Sequence, residues 1–173
     1  MLEDLSSELD RGPLDPVRIF AVLQRREVEY LTIGGIAVNA HGHVRNTRDV
    51  DILVQWTPEN MQRLATALAE LDAVLFGVDA DLVDVDPRNP DDLFNGGNFT
   101  LRTAAGGLDL FDPREIPGGR PYEEMRPRAV EAIVQGVRVR AVGFDDLIRL
   151  KREAGRDRDL EDVATLLKAQ PRS

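Results

Sequence analysis

The run Asp49-Val50-Asp51-Ile52-Leu53-Val54 reads as a buried strand, yet it carries two carboxylates. Side chains on a strand alternate faces, so Asp49 and Asp51 share one face while Val50, Ile52 and Val54 take the other. Two like charges this close repel each other, and burial makes the repulsion worse. A divalent cation between them relieves both problems. Mg²⁺ prefers hard oxygen ligands, often one or two carboxylates together with substrate phosphates. Taken alone, an Asp-x-Asp pair fits better a strand whose Asp49 caps its start and whose Asp51 faces water.

The pair has company. Upstream, the short strand Tyr30 to Ile33 runs into Gly34-Gly35 and then a short helix from Ile36 to His41. Glycines at such a turn let backbone N–H groups approach a phosphate, and a helix N-terminus favours an anion. Downstream, Asp109 lies in Leu108-Asp109-Leu110-Phe111, again an acid in an apolar strand. If that strand neighbours the first, three carboxylates converge, and a bound metal can also activate an attacking hydroxyl. Asp112 competes for this role, but it precedes Pro113 and reads as a turn residue.

The other elements are ordinary. Residues 1 to 14 read as a polar lead-in. Asp15-Pro16 starts a helix to about Glu27, with Val17, Phe20, Ala21 and Leu23 inward. Thr57-Pro58 starts another, carrying Met61, Leu64, Leu68 and Leu71 at helical spacing. A strand-like run covers residues 73 to 78, followed by an acidic loop with a short helix. Hairpins are expected around residues 104 to 107 and around Gln135-Gly136. Arg138 and Arg140 read as a solvated sheet face. A helical pair closes the chain over residues 144 to 169. The first helix ends at Gly155 and the second is capped by Asp157, with Leu147, Ile148, Leu150, Leu160, Val163 and Leu167 buried. This organisation predicts one α+β domain over residues 1 to 173, a mixed sheet flanked by helices.

Composition excludes some functions. Without cysteine there are no disulfides and no thiolate metal sites. A net charge of −9 argues against broad, nonspecific nucleic-acid binding, while leaving room for a local basic groove. No apolar run is long enough to span a bilayer, and no export signal is visible, so a cytoplasmic protein is expected. Lys151 and Lys168 are the only lysines.

The combination of Gly34-Gly35, Asp49-Val50-Asp51 and the strand carboxylate Asp109 resembles the nucleotidyltransferase superfamily of DNA polymerase β type. The finer pattern, residues 34 to 54 together with residues 144 to 167, resembles its small prokaryotic branch related to abortive-infection and toxin–antitoxin toxins. The resemblance spans residues 28 to 169. It implies a mixed sheet flanked by helices, Mg²⁺ or Mn²⁺, and a nucleoside triphosphate such as ATP. It implies that Asp49 and Asp51 bind metal and triphosphate, and that Asp109 binds the catalytic metal and helps deprotonate the acceptor. Many members have Gly-Ser where this chain has Gly34-Gly35, so Gly35 offers phosphate only its backbone.

Supporting residues follow. Arg45, Thr47 and Arg48 precede the acidic strand and can hold phosphates or pair with its acids. Lys151 reads either as an exposed helix charge or as an ammonium that reaches the triphosphate, and the resemblance favours the latter. On that reading Lys151→Ala lowers turnover much more than stability. Arg156, at the helix connection, is a further anion ligand. His41 and His43 read as helix-end histidines. The expected reaction is transfer of a nucleoside monophosphate to an acceptor hydroxyl on tRNA, protein or a small molecule such as an antibiotic. An antitoxin partner is expected for the toxin reading, and a noncatalytic nucleotide-binding module is the alternative from another class.

Overall fold

The computed structural model describes residues 10–77 and 79–170. Helix α1 (Pro16–Arg25) starts where Asp15 accepts a hydrogen bond from the Arg18 N–H, with Pro16 in the first turn. It is followed by β1 (Tyr30–Ile33), α2 (Gly34–Ala40), β2 (Asp49–Val54) and α3 (Pro58–Glu70). Then come β3 (Val74–Leu75), α4 (Pro90–Asn95), β4 (Phe99–Thr103), β5 (Gly106–Phe111) and α5 (Tyr122–Met125). The chain continues through β6 (Val130–Val134), β7 (Val137–Ala141), α6 (Phe144–Ala154) and α7 (Asp157–Ala169).

The strands form one seven-stranded sheet in the order β3-β4-β5-β2-β1-β7-β6. The pairs β2–β5 and β1–β7 are parallel and the others antiparallel. Both expected hairpins are present as β4–β5 and β6–β7. The second turns through Gln135 and Gly136, both at positive φ, which matches the right-handed twist of its strands. The run expected as a strand over residues 73 to 78 supplies only Val74–Leu75, and Val78 lies outside the described residues.

Helices cover both sheet faces. Ile19, Phe20 and Leu23 of α1 and Met61, Leu64 and Leu68 of α3 pack with Val50, Ile52 and Val54 of β2. On the opposite face Leu31 and Leu53 pack with Tyr122, Met125, Leu147, Ile148, Val163 and Leu166. Each such aliphatic side chain contributes about 1.5–3 kcal/mol when fully buried. The inward side of α1 is Ile19, Phe20, Val22 and Leu23; Val17 and Ala21 are only half-buried. No helix among the described residues is long and apolar enough to cross a membrane.

The last helix differs more from expectation. Its buried face is Asp159, Asp162, Val163 and Leu166, while Leu160 and Leu167 are 47% and 46% exposed. The helix is rotated because its two acids have partners inside. Asp157 is the first helical residue and Arg156 holds the cap position. Arg138 is exposed as expected, whereas Arg140 folds back onto Glu29 at 3.1 Å.

Candidate active site

The parallel register of β2 and β5 sets Asp51 directly opposite Asp109 and Asp49 opposite Gly107. Period-two alternation keeps Asp49 on the Asp51 face. The three carboxylates therefore converge, each with an oxygen within 4.8 Å of the other two. Leu53, two residues beyond Asp51, continues this face into the core beneath α6 and α7. The acids thus occupy the open end of a sheet face whose other end is closed by helices.

The glycines make close approach possible. Gly34 opens α2 at φ +67°, and a Cβ there would lie 2.2 Å from Asp51 Oδ2. A Cβ on Gly35 would meet Thr47 Cγ2 at 2.3 Å. The Gly-Gly turn therefore lets the start of α2 close over the acidic strand, a packing role beyond the expected phosphate cradle.

Arg11 is the residue that sequence reasoning missed. It donates from Nη1 to Asp109 Oδ1 at 2.5 Å and from Nη2 to Asp49 Oδ2 at 2.8 Å. The polar lead-in is thus corrected over its described part: Arg11, Pro13 and Leu14 lie against β5, and residues 1 to 9 lie outside the described residues. A possible signal was Gly106-Gly107. A Cβ on Gly107 would sit 2.6 Å from Arg11 Cζ, so the bare backbone makes room for a guanidinium.

One guanidinium faces three acids. Burial, then the charges of Asp49 and Asp109, push the Asp51 carboxyl well above the usual carboxylate range, although Arg11 works in the opposite direction. Burial also opposes the Arg11 charge, but Asp109, Asp49 and Asp51 outweigh it and raise its pKa.

The acids form one wall of a cavity of about 610 Å³. Gly34, Gly35, Arg45, Thr47, Arg48, Lys151 and Arg156 also line it, so every residue selected from the sequence reaches the same cavity. Asp159, Arg158, Glu115 and Asn98 add to its polar lining. Asp112 is excluded: it is 3% exposed and turned toward Arg114, whose Nη2 lies 2.8 Å away.

The opposite wall is a second ion cluster. Lys151 Nζ lies 3.1 Å from Asp159 Oδ1 and 3.0 Å from Asp162 Oδ2. Arg45 Nη2 reaches Asp162 Oδ2 at 3.2 Å, and Arg156 Nε donates to Asp159 at 2.6 Å. Burial drives the Asp159 pKa up, but Arg156 and Lys151 more than compensate and hold it below the usual range. Asp162 Oδ2 and Arg45 Nε lack well-aligned hydrogen bonds, so contact at Asp162 is mainly electrostatic.

For two residues the structure removes one of the readings the sequence left open. Lys151 is no exposed helix lysine: its side chain is 8% exposed and held by two buried carboxylates. Arg45 pairs with an acid of α7 instead of the strand acids, while Arg48 stays exposed. His41 ends α2 with Nε2 2.8 Å from the Val142 carbonyl, and His43 lies 4.0 Å from Asp162.

No family model and no curated protein matches the sequence. Solved structures do match. The lincosamide antibiotic adenylyltransferase LnuA, with lincomycin bound, matches with a TM-score of 0.60 at 14% identity, over 92% of this chain and 100% of LnuA. The antibiotic-resistance factor ANT(2'')-Ia matches with a TM-score of 0.55 at 17% identity, over 88% of this chain and 80% of its own. The chain has the nucleotidyltransferase fold. An antigenic nucleotidyltransferase-like protein from Paracoccidioides brasiliensis shares that fold, with a TM-score of 0.56 at 16% identity over 94% of this chain and 81% of its own.

Proposed function

We propose that the protein is a divalent-cation-dependent nucleotidyltransferase. It moves a nucleoside monophosphate from a nucleoside triphosphate to an acceptor hydroxyl and releases pyrophosphate. The observation that carries this reading is the meeting of Asp49, Asp51 and Asp109 across a cavity from Arg45, Lys151 and Arg156. Hard oxygen donors in a tight group fit Mg²⁺ or Mn²⁺, and the cationic wall fits a polyphosphate.

When bound, the metal supplies Lewis-acid stabilisation of phosphoryl oxygens and a lowered pKa for an attacking hydroxyl. Asp49 and Asp51 would hold the metal and, through it, the triphosphate, and Asp109 would hold the metal and help take the proton from the acceptor. Thr47, Arg48 and the backbone of Gly34 and Gly35 bind phosphate oxygens. Lys151 and Arg156, which line the cavity, face the charge that builds on leaving pyrophosphate, an interaction that strengthens in the transition state, while Arg45 is neutralised by Asp162.

Two acceptor classes are supported by different observations. The resemblance to the toxin-related branch supports a hydroxyl of tRNA or protein, with a cognate antitoxin as partner. Asp162 neutralises Arg45, so the rim for RNA phosphates is Arg48, Arg156 and Arg158. A small antibiotic is supported by the fold shared with LnuA and ANT(2'')-Ia, and a net charge of −9 suits a polyamine acceptor. Incubation of the protein with labelled nucleoside triphosphates and Mg²⁺ tests both, against total tRNA, lysate protein, aminoglycosides and lincosamides. Label on one class identifies the acceptor. No transfer to any of them, with no rise in melting temperature on adding Mg²⁺ and triphosphate, overturns the reading.

A further inference from the structure

Arg11 is unexplained by the nucleotidyltransferase reading. Its guanidinium bridges two of the three carboxylates, with a further bond from Nη2 to Asp109 Oδ2 at 3.2 Å. The seat is specific to this group. Gly107 leaves space for it, the Leu101 carbonyl accepts from Nη1 at 3.0 Å, and the Phe76 ring lies 5.9 Å from Cζ. The segment that carries it is anchored beyond: Asp15 N–H donates to the Ala105 carbonyl at 2.9 Å, and Gly106 at φ +101° lets Leu14 lie against its backbone.

A guanidinium and a divalent cation compete for the charge of the same three carboxylates, and two cations held that close repel each other. We propose that Arg11 is a built-in counter-ion that occupies the carboxylate cluster of the metal-free protein and is displaced when a divalent cation binds. Residues 10 to 14 then act as a strap whose release accompanies loading. This inference rests on the carboxylates being the metal site. The hinge is at Gly12, exposed at φ +83° with open space around its Cα, followed by exposed Pro13. The anchor at Asp15 stays in place while Arg11 swings.

A competing internal cation lowers apparent metal affinity, because part of the binding energy is spent on displacing it. It also relieves the repulsion that three acids generate in the metal-free fold.

The test uses the full chain and Mn²⁺ alone. Free Mn²⁺ is followed by electron paramagnetic resonance during titration of wild type, Arg11→Gln and Asp49→Asn. Arg11→Gln is expected to bind Mn²⁺ about tenfold tighter or more, within the usual range for coupled sites, and to melt lower without metal. Asp49→Asn is expected to lose the site. In wild type, Mn²⁺ is expected to speed trypsin cleavage of the Arg11–Gly12 bond, read by mass spectrometry, because a seated Arg11 cannot enter the protease. Equal binding by wild type and Asp49→Asn overturns the metal-site reading and the strap with it. Loss of the site in Asp49→Asn, with Arg11→Gln binding no tighter and cleavage unchanged by Mn²⁺, overturns the strap alone.

Discussion

The strand wall of the cavity gathers Asp49, Asp51 and Asp109 around the Arg11 guanidinium, whereas the helix wall sets Lys151, Arg45 and Arg156 around Asp159 and Asp162. Both are partly or fully buried ion clusters, and they are unlike in balance. On the helices each acid has at least two cations within 4.0 Å, so the group largely satisfies itself. On the strands the acids outnumber their cation, and Asp51 is pushed toward its protonated form. Buried charge that is paired contributes to holding elements together, while buried charge left short of a partner is the mark of a site that expects a ligand.

Substitutions should therefore separate the walls. The largest effect is expected from Asp109→Asn, which removes a charge from the carboxylate cluster: on the proposed function nucleotide incorporation falls by roughly 10³-fold, while the melting temperature is unchanged or higher. A variant that keeps wild-type incorporation would break the comparison at the strand wall.

Lys151→Ala tests the other wall. It leaves Asp159 and Asp162 buried with fewer partners, so stability should fall by about 3 kcal/mol in urea denaturation. An exposed lysine would lose less than about 0.5 kcal/mol. A small loss would mean that Arg45 and Arg156 suffice, and that Lys151 is kept for the triphosphate.

Gly34→Ala joins the two effects. It combines a positive φ with a Cβ at 2.2 Å from Asp51 Oδ2, and should cost about 1–3 kcal/mol while displacing Asp51. Thermal melting and Mn²⁺ titration of the same sample would show both. Unchanged values in both assays would remove the packing role assigned to the Gly-Gly turn.

The smallest effect is a gain. The folded pKa of Asp51 lies above its unfolded value, so stability linked to this group is fully present below the unfolded pKa and is lost as pH rises through the folded one. Asn suffers no such loss. Asp51→Asn should therefore raise the melting temperature of metal-free protein at neutral pH, with the difference vanishing in acid. A lower melting temperature at neutral pH would mean that Arg11 and the turn depend on this charge.

The acidic wall was legible because its signal is local. An acid inside an apolar strand stands out, alternation fixes its face, and the turn glycines mark close packing. The hairpins were legible for the same reason, from Gln135-Gly136 and the glycines before Leu108. The helix wall was half legible. Lys151 could be singled out, but its burial depends on the rotation of α7, and Leu160 and Leu167 gave a plausible apolar stripe on the wrong side. Arg11 was not legible, because its partners lie far along the chain; Gly106-Gly107 marks a close approach there, but only the folded sheet shows that Arg11 makes it.

The parallel pairing of β2 with β5 has a consequence for how the protein is made. The pairing is long-range in the chain, and such contacts form only after a costly loop closure. The local hairpin β4–β5 can assemble early; its docking beside β2 cannot. Until that docking Asp109 has neither Asp49 nor Asp51 beside it, and the three carboxylates form no cluster. The carboxylate cluster is thus a product of the native topology and of no single segment, complete only once β5 lies beside β2.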